Sequence, residues 1–166
     1  MSKDYRTRLD EAMSLPDIFE LVKSLVLKSM GKSRGGLMLG MANLGNNPQG
    51  FFGGFFTTGS NVIVLNKIPL QRIQETRPEL YKPYVFNILL HEYIHSLGFL
   101  DEADVRSRVF AISKEALGTE HLATQMAANA SDFIKHLAYP DVSWKAEDGG
   151  LELVDGFDRS SASYIG

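Results

Sequence analysis

Apolar residues recur at helical spacing through Ile18, Val22, Leu25 and Val26, behind Ser14-Leu15-Pro16-Asp17 and ahead of Gly31. Ser14 as N-cap, Asp17 three residues on, Pro16 in the first turn and a glycine stop predict one helix there. The pattern then changes. Residues 49–56 are dense in glycine and phenylalanine, and Asn61-Val62-Ile63-Val64-Leu65 is apolar and β-branched. Gly59-Ser60 between them is turn chemistry, so a hairpin is expected, with a further strand over residues 36–42. Helical periodicity returns after Pro78 and Pro83, with Pro83 in the first turn of a helix and Gly98 beyond its end. A second helix is expected over residues 101–117, with Val105, Val109, Ile112 and Ala116 on its apolar face and Gly118 behind it. A third should run from residue 119 to about 138, burying Leu122, Met126, Ala130, Phe133 and Leu137, until Tyr139-Pro140 stops it.

Residues 141–166 lack periodicity, and no internal repeat or boundary interrupts the chain. The expectation is one α+β domain over residues 1–140, with residues 141–166 an irregular tail of the same domain. Its architecture would be an N-terminal helix, a small, twisted, mostly antiparallel sheet, the helix after Pro83 packed beneath that sheet, and two further C-terminal helices.

Composition narrows the chemistry. With 44% hydrophobic residues in 166, the chain can bury a real core. A net charge of −3 shows no basic excess, so a nucleic-acid partner is not expected. There are no cysteines, which removes disulfides, thiolate metal sites and cysteine nucleophiles together. Histidine, aspartate and glutamate are then the only strong metal ligands. The first eleven residues are charged and lack an apolar run, and no apolar run approaches a membrane span. A cytoplasmic protein without a membrane partner is expected.

Against that background one stretch stands out: His91-Glu92-Tyr93-Ile94-His95, an HExxH sequence within an expected helix. Histidines four apart stand one turn apart on one helix face, so two imidazole nitrogens can converge on one metal ion. Glu92 projects beside that ion, where a general base for an activated water belongs. The four histidines and ten glutamates of the chain would produce this pattern by chance roughly 0.006 times. Coincidence is a poor explanation.

Extended to Asp101, the stretch reads HExxHxxGxxD and resembles the zincin metallopeptidases. It is most similar to the metzincin signature in its snapalysin-like form, where aspartate replaces the third histidine. Gly98 and Asp101 match the turning glycine and the third ligand. The resemblance implies one zinc per chain held by His91, His95 and Asp101, with Glu92 catalytic. It also implies hydrolysis of a peptide or protein substrate, which could add to an edge strand around residues 62–65. Two features depart from that signature. The methionine after the motif, Met126, reads as helix rather than as a tight turn beneath the metal. The two long following helices also resemble the gluzincin branch, whose third ligand comes from a later helix.

The third ligand therefore has rivals. Asp101 is also a good N-cap for the next helix. His121 is the alternative, and Glu102, Glu115 and Glu120 remain open. His136 suits a solvated position near a helix C-terminus. Tyr84 and Asn87 share the His91 face and are candidates to support the ligands. Residues 31–36 are glycine-rich and basic without the P-loop spacing, and read as a solvated turn. The glycines of Phe-Phe-Gly-Gly-Phe-Phe read as places of close approach in core strands. A non-catalytic, zinc-stabilised binding module of zincin fold is the alternative to an enzyme, although a structural site needs no base at Glu92. An amide other than a peptide bond is a further substrate class. The tail, with Trp144, Leu151, Leu153, Val154, Phe157 and Tyr164, would either cover the core or dock in the cleft and hold the site latent.

Overall fold

The structure is a computed structural model describing residues 4–44, 53–57, 59–129, 151–154 and 156–157. Six helices and four strands are described: α1 (Tyr5–Glu11), α2 (Leu15–Met30), β1 (Met38–Ala42), β2 (Gly54–Phe56), β3 (Val62–Asn66), α3 (Lys67–Thr76), α4 (Tyr81–Ser96), α5 (Glu102–Leu117), α6 (Leu122–Ala128) and β4 (Glu152–Val154). The class is α+β, as expected. Among the described residues, no helix is long and apolar enough to cross a membrane.

Local chemistry accounts for the element ends. Ser14 Oγ accepts from the Asp17 N–H, and Gly31 closes α2 in the left-handed region at φ 65°. Asn66 ends β3 and caps α3. Fully buried, its Oδ1 accepts from the N–H groups of Ile68 and Leu44, so no desolvated acceptor is left empty.

The sheet has the order β2-β3-β1-β4. β2 and β3 form the expected antiparallel hairpin, with Phe55 opposite Val64. β1 runs parallel to β3, and β4 antiparallel to β1, so the sheet is mixed, with two of its three described pairings antiparallel as expected. A correction follows from the order. Among the described strands β3 is internal, so the edges of the sheet are β2 and β4 and not residues 62–65. Leu39, Ile63 and Leu65 turn from one face into the core, while Met38, Phe55 and Leu153 turn from the other face and are exposed.

The core joins that inner face to α2 and α4, with Phe19, Val22, Val85, Phe86, Leu89, Leu90, Tyr93 and Ile94 all fully buried. α4 is enclosed on almost every side, which is why its sequence is apolar nearly all round. α1 and α3 are helices beyond those expected. α6 starts later than expected, at Leu122, and ends at Ala128 with Asn129 as its C-cap. The expected continuation to residue 138, His136 included, lies outside the described residues, as does most of 141–166. The described part of the tail is ordered into β4 and a buried Phe157.

Candidate metal centre

α4 presents Tyr84, Ile88, His91 and His95 at spacings of four, three and four, which places them on one face. β2 lies against that stripe. A Cβ on Gly53 would stand 2.7 Å from Tyr84 Oη and 2.8 Å from Ile88 Cδ1, so glycine here permits the close approach of strand to helix. Beyond α4 the chain reverses through Gly98 at φ 105°, a conformation costly for any side chain with a Cβ. α5 then begins at Glu102 and returns its first turn over the two histidines.

His91 Nε2 lies 3.2 Å from Glu102 Oε2, and His95 Nε2 lies 2.6 Å from Glu102 Oε1. Among the described residues, this is the group of histidine and carboxylate ligand atoms that could hold a metal ion, all within 4.8 Å of one another. Three ligand atoms about 2.0–2.2 Å from a tetrahedral zinc stand about 3.4 Å apart, so the His91–Glu102 spacing already fits and the His95 spacing must open by under about 1 Å. The tautomer favours this use. His95 Nδ1 lies 2.7 Å from the carbonyl oxygen of Phe99, which can only accept, so Nδ1 carries a proton and Nε2 faces Glu102.

Electrostatics agree with the geometry. Burial, outweighing the attraction of Glu102, holds His91 below its ordinary value, which favours the neutral imidazole that binds metals. Burial raises Glu102, but the two histidines overcome it and leave its carboxyl below the usual range. Glu92 lies beside this group and is only 7% exposed. Burial and then the Glu102 charge push its carboxyl up to about 8, opposed by a hydrogen bond from the Phe56 N–H. That donor is on the open side of β2. The Asn66 N–H donates to Gly53 O across the hairpin, so the alternation of an antiparallel pair turns the backbone groups of Gly54 and Phe56 away from β3.

Asp101 is placed differently from the sequence expectation. Its Oδ1 accepts from the N–H groups of Ala103 and Asp104, capping α5, and the adjacent Glu102 joins the histidines in its stead. A cap pattern in Asp101-x-x-Asp104 was the sequence signal for this arrangement. His121 is also a cap, with Nδ1 accepting from the Ala123 N–H. It lines a cleft of about 450 Å³ with Asp10, Tyr81 and Lys82 at the opposite end of α4. His91 lies ten residues beyond Tyr81, roughly 15 Å along the helix. Burial outweighs Asp10 there and lowers the His121 pKa.

Glu115, toward the far end of α5, lines a small cleft with Tyr5 and Leu25, and Glu120 lends its carbonyl to Gln125. Tyr84 is buried against Gly53, and Asn87 donates to the Ala123 carbonyl. Met126 is a buried residue of α6, away from any tight turn. Comparisons with models of known protein families, with curated proteins and with solved structures find no match.

Proposed function

We propose that the protein is a zinc-dependent metallopeptidase in which His91, His95 and Glu102 hold the ion and Glu92 is the general base. The observation that carries this reading is the buried Glu92 carboxyl lying beside a two-histidine, one-carboxylate group at an open strand edge. Two imidazoles and a carboxylate are the ligand set of one large class of catalytic zinc sites, which leave a coordination position open. Zinc in such a site supplies Lewis acidity toward a carbonyl and lowers the pKa of water.

Glu92 accepts a proton as the water oxygen bonds to the scissile carbon, then gives that proton to the amine nitrogen as the C–N bond breaks. Its raised value in the metal-free chain suits a group that must both take and release a proton near neutral pH, and a nearby dication draws that value down. The outward backbone groups of Gly54 and the outward carbonyl of Phe56 offer an extended peptide hydrogen bonds along the same edge.

The test is zinc analysis and peptide-library cleavage by the full chain and four variants. The wild type should hold about one zinc, and His91→Ala should lose it. Glu92→Gln should keep zinc and lose at least about 100-fold in turnover. Glu102→Ala should weaken zinc binding more than about ten-fold, whereas Asp101→Ala should lose about 1 kcal/mol of stability and leave affinity intact. Full zinc in His91→Ala, or unchanged turnover in Glu92→Gln, would overturn the reading.

A further inference from the structure

Among the described residues β2 is three residues long and pairs with β3 alone, so those hydrogen bonds do not by themselves fix its position. Its N-terminal end rests on α4 through Gly53 and Gly54, against Tyr84 and Ile88. Its C-terminal end leads to the turn at Gly59-Ser60 and is held by a residue from another part of the chain.

That residue is Arg34, in the connection between α2 and β1 that sequence alone marks as a solvated turn. Its Nη1 donates to the carbonyl of Ser96, the last residue of α4, at 2.7 Å. Its Nη2 donates to the carbonyl of Ser60, in the β2–β3 turn, at 3.0 Å. The guanidinium carbon stands 5.3 Å from the centre of the Phe56 ring. The backbone N–H of Arg34 donates to Tyr93 Oη at 2.9 Å, and Tyr93 is a fully buried residue of the HExxH stretch. The base of the side chain is therefore pinned to α4, while its fork joins α4 to the hairpin.

We propose that Arg34 is a positioning residue that clamps the β2–β3 hairpin onto the end of α4 and so fixes the open β2 edge against the Glu92 carboxyl. The physical basis is threefold. The Ser96 carbonyl is one of the four at the helix end without an intrahelical partner, and it lies at the negative end of the dipole, so a cation there is favoured. A guanidinium carries five N–H donors in a rigid plane, which lets one side chain serve two carbonyls of different elements and still lie near an aromatic ring. Phe56, the ring beside Arg34, belongs to β2 itself, so a shift of the hairpin on α4 is a shift of that edge. Lysine, a point charge on a flexible stem, cannot hold both carbonyls in this geometry.

This role rests on the peptidase reading for its catalytic consequence, but the clamp is measurable without it. The test uses the full chain with Arg34→Ala and Arg34→Lys, read by amide hydrogen exchange, zinc content and peptide turnover. In both variants the Phe56 amide should exchange about ten-fold faster or more, while the buried α4 and α5 amides keep their protection. Zinc per chain should be unchanged. The kcat should fall on the order of ten- to a hundred-fold, the scale of a small misplacement in an otherwise intact site. Free guanidinium ion should restore part of the kcat of Arg34→Ala. Wild-type protection at Phe56 would overturn the clamp, as would equal loosening of α4, or an Arg34→Lys variant that matches the wild type. If Arg34→Ala does not fold, Arg34→Lys decides by the same exchange criterion. If the zinc-loaded wild type cleaves no peptide, the peptidase reading fails and the exchange result still settles the clamp.

Discussion

Glu92 is a carboxylic acid held where ionising it is unfavourable. Burial is the main cause and the neighbouring Glu102 charge adds to it, so its proton is retained to about pH 8 against an ordinary value of 4.5. The consequence for stability follows from linkage. A folded-state pKa above the unfolded one means that the folded chain binds the proton more tightly, so the stabilisation is complete below about pH 4.5. It declines as pH rises from there and is lost as pH passes through about 8. Metal-free Glu92→Gln, neutral at every pH, should lack this decline. Urea midpoints of chelator-treated wild type and Glu92→Gln at pH 5 and pH 8.5 should therefore diverge, with glutamine gaining on the order of a few kcal/mol at the higher pH. Parallel pH profiles would show that Glu92 ionises freely, as a solvated side chain does. Glu102 illustrates a different lesson at this scale. Of two adjacent carboxylates, Asp101 commits its Oδ1 to two backbone N–H groups as the α5 cap, and Glu102 is the one that lies within reach of both histidines.

At the scale of elements, legibility follows how local the determining forces are. α2, α5 and the hairpin each carry their own start, stop and period, so Ser14, Asp101, Gly118 and Gly59-Ser60 mark them in sequence. α1 buries only Leu9, and a single apolar residue has no period to read. α3 follows β3 directly with Pro69 in its first turn, and its signal is the Asn66 cap, which looks in sequence like the end of a strand. α6 begins at Leu122 rather than 119, because the cap is His121, whose imidazole nitrogen takes the role that a hydroxyl or carboxylate would signal in sequence. The order of strands depends on β1 meeting β3 in parallel, a pairing between distant segments that no turn specifies. Of the candidate site, the two α4 histidines and Glu92 were legible from one turn of helix. The Phe56 donor and the Arg34 clamp were not, because both depend on how the hairpin lies on α4. Gly53 and Gly54 offer a test of that contact. A Cβ on Gly54 would stand 2.6 Å from the Val64 backbone oxygen, which cannot swing aside, whereas one on Gly53 meets only the tips of Tyr84 and Ile88. Gly54→Ala should therefore destabilise by about 1–3 kcal/mol, with Gly53→Ala the milder change. The reverse ranking in thermal unfolding would mean that the Val64 oxygen does not lie as close to Gly54 as described, and that the contact with Tyr84 and Ile88 of α4 is the tighter one.

For the whole molecule, the C-terminal segment decides whether the fold is complete without it. β4 pairs with β1, on the sheet edge opposite β2. Three strand spacings, roughly 14 Å, separate it from the open edge beside Glu92. Phe157 is 2% exposed and stacks on Phe19, with ring centroids 4.0 Å apart and planes inclined by 20°. Phe19 in turn meets the edge of the Tyr93 ring within α4. The described part of the tail is thus a side of the core, and a chain ending at Pro140 loses a strand together with a fully packed aromatic residue. Phe157→Ala should lower stability by about 3–5 kcal/mol, the usual loss for a buried phenylalanine. Turnover per folded, zinc-loaded molecule should stay within about two-fold of wild type, since the substitution touches neither β2 nor the ligands. Urea unfolding and turnover normalised to bound zinc, measured on the same preparations, separate the two roles open to this segment. A rise in normalised turnover with little loss of stability would instead make Phe157 the anchor of a latency segment. A large loss of stability at constant turnover makes it part of the hydrophobic core that keeps α4, and with it His91, Glu92 and His95, in place.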